Sequence, residues 1–135
     1  MKAIAIIPAR GGSKGLPRKN LKKIGGIPLV GRSVLAARSA KTVDAVYVST
    51  DDADISAAAS RYDANVISRP GELSGDQASS EAAILHALDE LQGRGISPEI
   101  VVFLQCTSPF TTGTHIDQCV ESLLATTEAA ASFAV

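Results

Sequence analysis

Ala3-Ile4-Ala5-Ile6-Ile7-Pro8-Ala9-Arg10-Gly11-Gly12-Ser13-Lys14-Gly15-Leu16-Pro17-Arg18-Lys19-Asn20 is the stretch that decides the fold. Its first five residues form a continuous apolar run without polar alternation, the pattern of a strand buried on both faces. The run stops at Pro8, and the residues from Arg10 to Asn20 then supply three glycines among the cations Arg10, Lys14, Arg18 and Lys19. Glycine adopts positive φ and lets a ligand approach the main chain, whose N–H groups can then point at anionic oxygens. Fixed positive charge beside such a backbone suits a triphosphate, because attack at phosphorus builds charge on the departing pyrophosphate. Glycine and basic residues alone fit a solvated turn between a strand and a helix equally well.

Spacing excludes two familiar nucleotide motifs. A P-loop ends in Gly-Lys-Ser/Thr, whereas Gly15 is followed by Leu16. A dinucleotide fingerprint needs G-x-G-x-x-G, which Gly11-Gly12-Ser13-Lys14-Gly15 does not supply, and Asp51 comes too late to be its ribose acid.

Outward from this stretch, apolar runs alternate with amphipathic ones. A helix is expected over Leu29 to Ser39, a strand over Ala45 to Ser49, a helix from about Asp52 to Tyr62 and a short strand over Asn65 to Ser68. A polar loop, Arg69 to Ala78, leads to a helix over Ser80 to Leu91 whose apolar stripe reads Ile84, Leu85, Leu88 and Leu91, all expected in the core. Ile100 to Leu104 is a further apolar strand, and Thr114 opens a helix to about Ala125. Such alternation predicts a doubly wound α/β domain, its mainly parallel sheet covered by helices on both faces. Ligands of these sheets sit beyond the carboxyl ends of the strands, where Arg10 to Asn20, Thr50 to Asp52, Arg69 to Ser80 and Gln105 to Thr111 should gather. The whole of residues 1–135 is expected to form one nucleotide-binding domain. The closing run Ala129 to Val135 has the composition of a core strand with nothing after it, so the domain is expected to be truncated.

Charge is unevenly distributed. Ten of the thirteen Lys and Arg residues precede Asp44, the first of fourteen acidic residues, so the N-terminal third should attract an anion. The formal net charge of -1 favours neither a nucleic-acid coat nor a membrane-surface binder. The apolar start ends at Pro8, too early for a signal peptide or a membrane span, which predicts a cytoplasmic protein. Cys106 and Cys119 form no metal-ligand pattern and are expected to be reduced thiols. His86 and His115 have no triad partners and read as structural. Asp51 and Asp52 open a helix, where a carboxylate caps free N–H groups, so capping outweighs a metal role for Asp52-Ala53-Asp54.

Ile7 to Leu21 as a whole resembles the signature loop of the cytidylyltransferases that activate sialic acids and related nonulosonic acids. Val48-Ser49-Thr50-Asp51, Arg69-Pro70-Gly71-Glu72-Leu73, Asp76-Gln77-Ala78-Ser79-Ser80 and Leu104-Gln105-Cys106-Thr107-Ser108-Pro109 extend the resemblance in the family's order and spacing. It implies a Rossmann-like nucleotidyltransferase domain that transfers CMP from CTP to the anomeric hydroxyl of a sialic acid, releasing pyrophosphate. Carried over residue by residue, it implies that Arg10 and Lys19 contact the CTP phosphates as catalytic groups. Ala9, Gly11, Gly12 and Ser13 would line the loop backbone around them. Asn20, Arg69 and Ser80 match positions holding the cytidine, and Gln105 one beside the sugar acid.

Residue by residue, Arg69 also reads as an exposed turn residue and Ser80 as a helix N-cap. The sequence departs from the family's usual pattern at Cys106, where Pro is usual, and at Phe110-Thr111, where Leu-Arg is usual, so substrate identity stays open. Legionaminic, pseudaminic or 3-deoxy-octulosonic acid are the alternatives, as is a CTP-binding module without catalysis. The resemblance further implies Mg²⁺ held by residues beyond 135, none being assigned here, a nine-carbon sugar acid as acceptor, and a homodimer in the full-length protein.

Overall fold

Four short runs become one parallel sheet, in which Ala3–Pro8 and Ala45–Thr50 are too hydrophobic to leave either face in water, while Asn65–Ser68 and Ile100–Phe103 at its two edges are only partly buried. The computed structural model describes residues 3–9, 23–68, 80–96, 98–104 and 112–125. In chain order these form β1 (Ala3–Pro8), β2 (Lys23–Ile24), β3 (Ile27–Pro28), α1 (Leu29–Ser39), β4 (Ala45–Thr50), α2 (Ala53–Arg61), β5 (Asn65–Ser68), α3 (Ser80–Gly93), β6 (Ile100–Phe103) and α4 (Gly113–Ala125). The main sheet runs β5-β4-β1-β6 with every pairing parallel. β1 is central, and Ile4, Ile6 and Ile7 are fully buried.

Alternation along β1 divides the core. Ala5 and Ile7 join Val46 and Val48 of β4 under α1, α2 and α4, which contribute Val34, Ile55 and Ile116. Ile4 and Ile6 face the other way, meeting Tyr47, Ile67 and, from α3, Ala87 and Leu91. Helices therefore cover both faces, as the doubly wound pattern requires. From β1 the chain winds through β4 to β5, then crosses by α3 to β6 on the opposite side of β1. The winding reverses between β1 and β6, and that switch point is where such sheets open a crevice.

Two carboxylates fasten the amino edge. Asp44 accepts from the Ala3 N–H at 3.0 Å while its own N–H donates to the Ala3 carbonyl at 2.8 Å, fixing the start of β1. Asp117, on α4, accepts from the Lys41 N–H at 2.9 Å and the Thr42 N–H at 2.8 Å, and also from the Thr42 hydroxyl. The Thr42 hydroxyl and then the Lys41 N–H hold the Asp117 carboxyl below the ordinary aspartate value.

Several expectations shift on contact with the structure. The stripe on α3 is rotated: Ala83, Ala87 and Leu91 are buried, Ile84 and Leu88 are half-buried, and Leu85 is 57% exposed. The small alanines let the helix lie close to the sheet, so the buried arc follows them rather than the bulky residues. α2 starts after Asp52, whose carboxylate caps it by accepting from Asp54 N–H at 2.8 Å and Ile55 N–H at 3.0 Å. α4 starts at Gly113 rather than Thr114, with Thr112 and His115 in reciprocal bonds: the His115 N–H donates to Thr112 Oγ1 at 3.2 Å, and the Thr112 N–H to His115 Nδ1 at 3.4 Å. That bonding makes His115 structural, as expected. The β2–β3 hairpin was not expected at all; Gly25 and Gly26 form its turn at φ of 63° and 83°, the left-handed pair that a two-residue hairpin demands.

His86 is half-buried on α3, with Nε2 3.8 Å from Glu90 Oε1 one turn on. Cys119 is a half-buried free thiol. The polar loop Arg69 to Ala78, Cys106 and the run Ala129 to Val135 lie outside the described residues. Among the described residues, no helix is long and apolar enough to cross a membrane.

Candidate functional site

Because β5, β4, β1 and β6 are parallel, Ser68, Thr50, Ala9 and Leu104 end at one edge of the sheet. The register aligns them: Pro8 stands against Ser49, Thr50 against Ser68, and Ile6 against Phe103. One residue beyond β1, the Ala9 N–H donates to the Ser49 carbonyl at 2.9 Å. One residue beyond β6, the Leu104 N–H donates to the Ile6 carbonyl at 3.1 Å. Both chain exits are thus hydrogen-bonded into the sheet on either side of the switch point.

Ala9 is 1% exposed, packed in the same core as Leu29, Val30 and Leu104. Its methyl is spent on packing, so Ala9 serves any ligand through its main chain and as the fixed origin of the loop that follows. The structure brings Ala9 to the same edge as the first turn of α3, which begins at Ser80. Ser80 is the first helical residue, one place inside the cap position expected for it. Arg10, Gly11, Gly12, Ser13, Lys19, Asn20, Arg69 and Gln105 lie outside the described residues.

At this edge the N-termini of α1 and α2 differ in charge. α2 carries Asp52 as its cap and Asp54 in its first turn. Thr50 adds to that turn, its hydroxyl accepting from the Asp52 N–H at 3.1 Å. α1 has Pro28 at its cap position, no side-chain cap and no acid in its first turn. The partial positive charge of α1's start is therefore left without a carboxylate from the chain's own cap, whereas that of α2 is already met. The β2–β3 hairpin feeds directly into this end of α1.

Metal ligands were not assigned to this chain from sequence. Among the described residues no group of three or more His, Cys, Asp or Glu stands together as a cation site. Asp52, the acid nearest the edge with a defined geometry, is occupied as a cap. These residues do not fit a Mg²⁺ centre by themselves.

Two signals missed in the sequence bear on the site. Gly25-Gly26 between Ile24 and Ile27 is the dipeptide of a tight hairpin, and it fixes where the basic segment rejoins the fold. Thr112-x-x-His115 is a variant of the capping pattern and sets the start of α4 after the Gln105 loop.

Comparison with known proteins agrees with this architecture. The chain is 42% identical over 120 residues to the N-acylneuraminate cytidylyltransferase of Escherichia coli, covering 89% of this chain and 28% of that protein. It is 37% identical over 125 residues to the pseudaminic acid cytidylyltransferase of Campylobacter jejuni, covering 92% and 54%. The chain therefore spans between about a quarter and a half of these relatives. In fold it is similar to a CMP:2-keto-3-deoxy-manno-octonic acid synthetase solved with CTP, with TM-score 0.81 and 23% identity over 95% of this chain and 49% of that one. The cytidylyltransferase family profile matches residues 4–135, so with a sheet and switch point of the matching kind the chain belongs to the cytidylyltransferase family.

Proposed function

We propose that this chain is the CTP-binding part of an enzyme that transfers CMP from CTP to the anomeric hydroxyl of a nonulosonic acid, with a sialic acid as the first candidate. The observation that carries the reading is Ala9, locked into the sheet at the switch point and opening directly onto the basic glycine loop. Residues 1–135 serve in this reading as one nucleotide-binding domain, and the full-length protein as a soluble homodimer.

In the proposed reaction the sugar hydroxyl oxygen bonds to the α-phosphorus of CTP, giving up its proton to solvent, while the bond from that phosphorus to the oxygen bridging to the β-phosphorus breaks and releases pyrophosphate. Arg10 and Lys19 hold the phosphates and offset the charge that grows on the leaving group, with the main chain from Ala9 to Ser13 donating N–H groups. The start of α1 favours the same charge without competition from a carboxylate. Asn20, Arg69 and Ser80 hold the cytidine, whose ring acceptors and exocyclic amine suit short polar groups and a guanidinium. Gln105, the residue after Leu104 in sequence, bonds the sugar acid. Magnesium, if the full-length protein uses it, needs ligands other than the described residues, and no step here is routed through it.

Identities of 42% and 37% favour a sialic acid over pseudaminic acid only slightly, so acceptor choice belongs to experiment. Pyrophosphate release from CTP with sialic, legionaminic, pseudaminic and 3-deoxy-octulosonic acids, measured on the full-length protein and on this chain, tests the proposal. Release with none of the four acids from full-length protein overturns it. CTP binding without release by this chain alone assigns it the role of a donor-site module.

A further inference from the structure

One cation in the N-terminal third has no part in the site as proposed above and yet packs on the hairpin that follows the basic segment in the chain. Arg32 is half-buried, the fourth residue of α1. Its guanidinium lies against the hairpin turn: a Cβ placed on Gly25 would be 2.6 Å from Arg32 Nη2. Gly25 holds φ at 63°, so its lack of a side chain serves both the turn and the guanidinium packed on it. Helical side chains lean toward the N-terminus, which directs Arg32 back over the hairpin and toward the edge of the sheet where α1 begins.

A cation close to a helix start is disfavoured by the helix dipole. The packing of its guanidinium on the turn is one contact that holds Arg32 there. The turn joins the two strands that carry the chain from the basic segment into α1. A planar fork can seat on a turn backbone in a way an ammonium does not.

We infer that Arg32 is a positioning residue for the triphosphate site: it braces the Gly25–Gly26 turn and so fixes where the segment that leaves Ala9 returns to the fold. The inference rests on the proposed function, in which that segment holds the phosphates of CTP. Arg32 acts on binding through the hairpin, so its loss should be felt by the phosphates and not by the nucleoside.

The test uses wild type, Arg32→Met, Arg32→Lys, Gly25→Ala and the Arg32→Met/Gly25→Ala pair, each titrated with CTP and with cytidine. Arg32→Met should weaken CTP about tenfold, since small misplacements of a positioning group carry large costs, and cytidine by less than about twofold. Gly25→Ala should also weaken CTP more than cytidine, since its methyl both displaces the guanidinium and strains a turn held at φ of 63°, and Arg32→Met should cost less on top of Gly25→Ala than it does in wild type, because their shared contact is already broken. Arg32→Lys should recover part of the CTP affinity. Wild-type affinity for CTP in Arg32→Met, equal weakening of CTP and cytidine, or additive losses in the pair would each overturn the inference. Should Arg32→Met fail to fold, the ratio of CTP to cytidine affinity in Arg32→Lys and Gly25→Ala decides the matter by the same criterion. A wild-type protein that binds cytidine and CTP equally well removes the proposed function itself, and the inference with it.

Discussion

Asp117 of α4 accepts hydrogen bonds from both the main chain and the hydroxyl of Thr42, tying the helix after β6 to the turn before β4. These residues are 75 apart in sequence, so the contact closes a long stretch of chain. Asp117→Ala should destabilise the protein by about 1 kcal/mol, the worth of partly exposed hydrogen bonds to a carboxylate. Its pH dependence has a definite sign. The folded carboxyl is held below the ordinary aspartate value, so its contribution is complete above that value and is lost as pH falls through the lower folded pKa. Urea unfolding of wild type and Asp117→Ala should differ at pH 7 and converge in strong acid.

Leu91→Ala and Leu85→Ala distinguish the face of α3 that the core uses. Leu91 is fully buried against Ile4, Ile6 and Ile67, so truncation should cost about 2–5 kcal/mol. Leu85 is exposed, and its truncation should stay within about 0.5 kcal/mol. Comparable losses would return α3 to the orientation its leucines suggest.

Gly113 marks a close approach of α4 to the end of α1. A Cβ there would stand 2.7 Å from the Ser39 carbonyl carbon and 2.8 Å from the Ala40 nitrogen, backbone atoms that do not yield cheaply. Gly113→Ala should therefore cost about 1–3 kcal/mol by overpacking. Gly93, at the end of α3, has open space around it, and Gly93→Ala should be neutral or stabilise by up to about 1 kcal/mol. Thermal unfolding of the two variants, with opposite signs, checks the helix contact.

Asp52→Ala should remove a cap and about 1 kcal/mol of stability while leaving CTP affinity in the presence of magnesium unchanged. A loss of magnesium-dependent affinity without loss of stability would reverse the reading of Asp52 as a cap.

Lys19→Ala in the full-length protein should reduce kcat/KM by about two orders of magnitude, the equivalent of roughly 3 kcal/mol for one preorganised donor. Circular dichroism and thermal unfolding should be unaltered. An unchanged rate would remove Lys19 from the proposed phosphate site.

Strands were the most legible part of the fold. Ile4, Ile6, Ile7 and Val48 are buried from both sides, and only a continuous apolar run meets that demand. Helix position was legible but rotation was not, because hydropathy weights Leu85 above Ala83 and Ala87 while close packing against a sheet rewards small side chains. Two-residue strands carry no periodicity, so β2 and β3 were visible only through the Gly25-Gly26 turn between them. The site was legible for another reason: its side chains are chosen for a ligand, not for a core, and their identity and order survive where periodicity says nothing. Ala9 is the exception, since packing and site meet in one methyl group.

That meeting has a consequence for mutational tolerance. A saturation library at residue 9 should yield almost only Ala, Gly and Ser among functional clones, since any larger side chain must displace part of the core in which Ala9 is buried or break the bond to the Ser49 carbonyl. The least chemically endowed residue of the site is thus the one with the fewest permitted replacements.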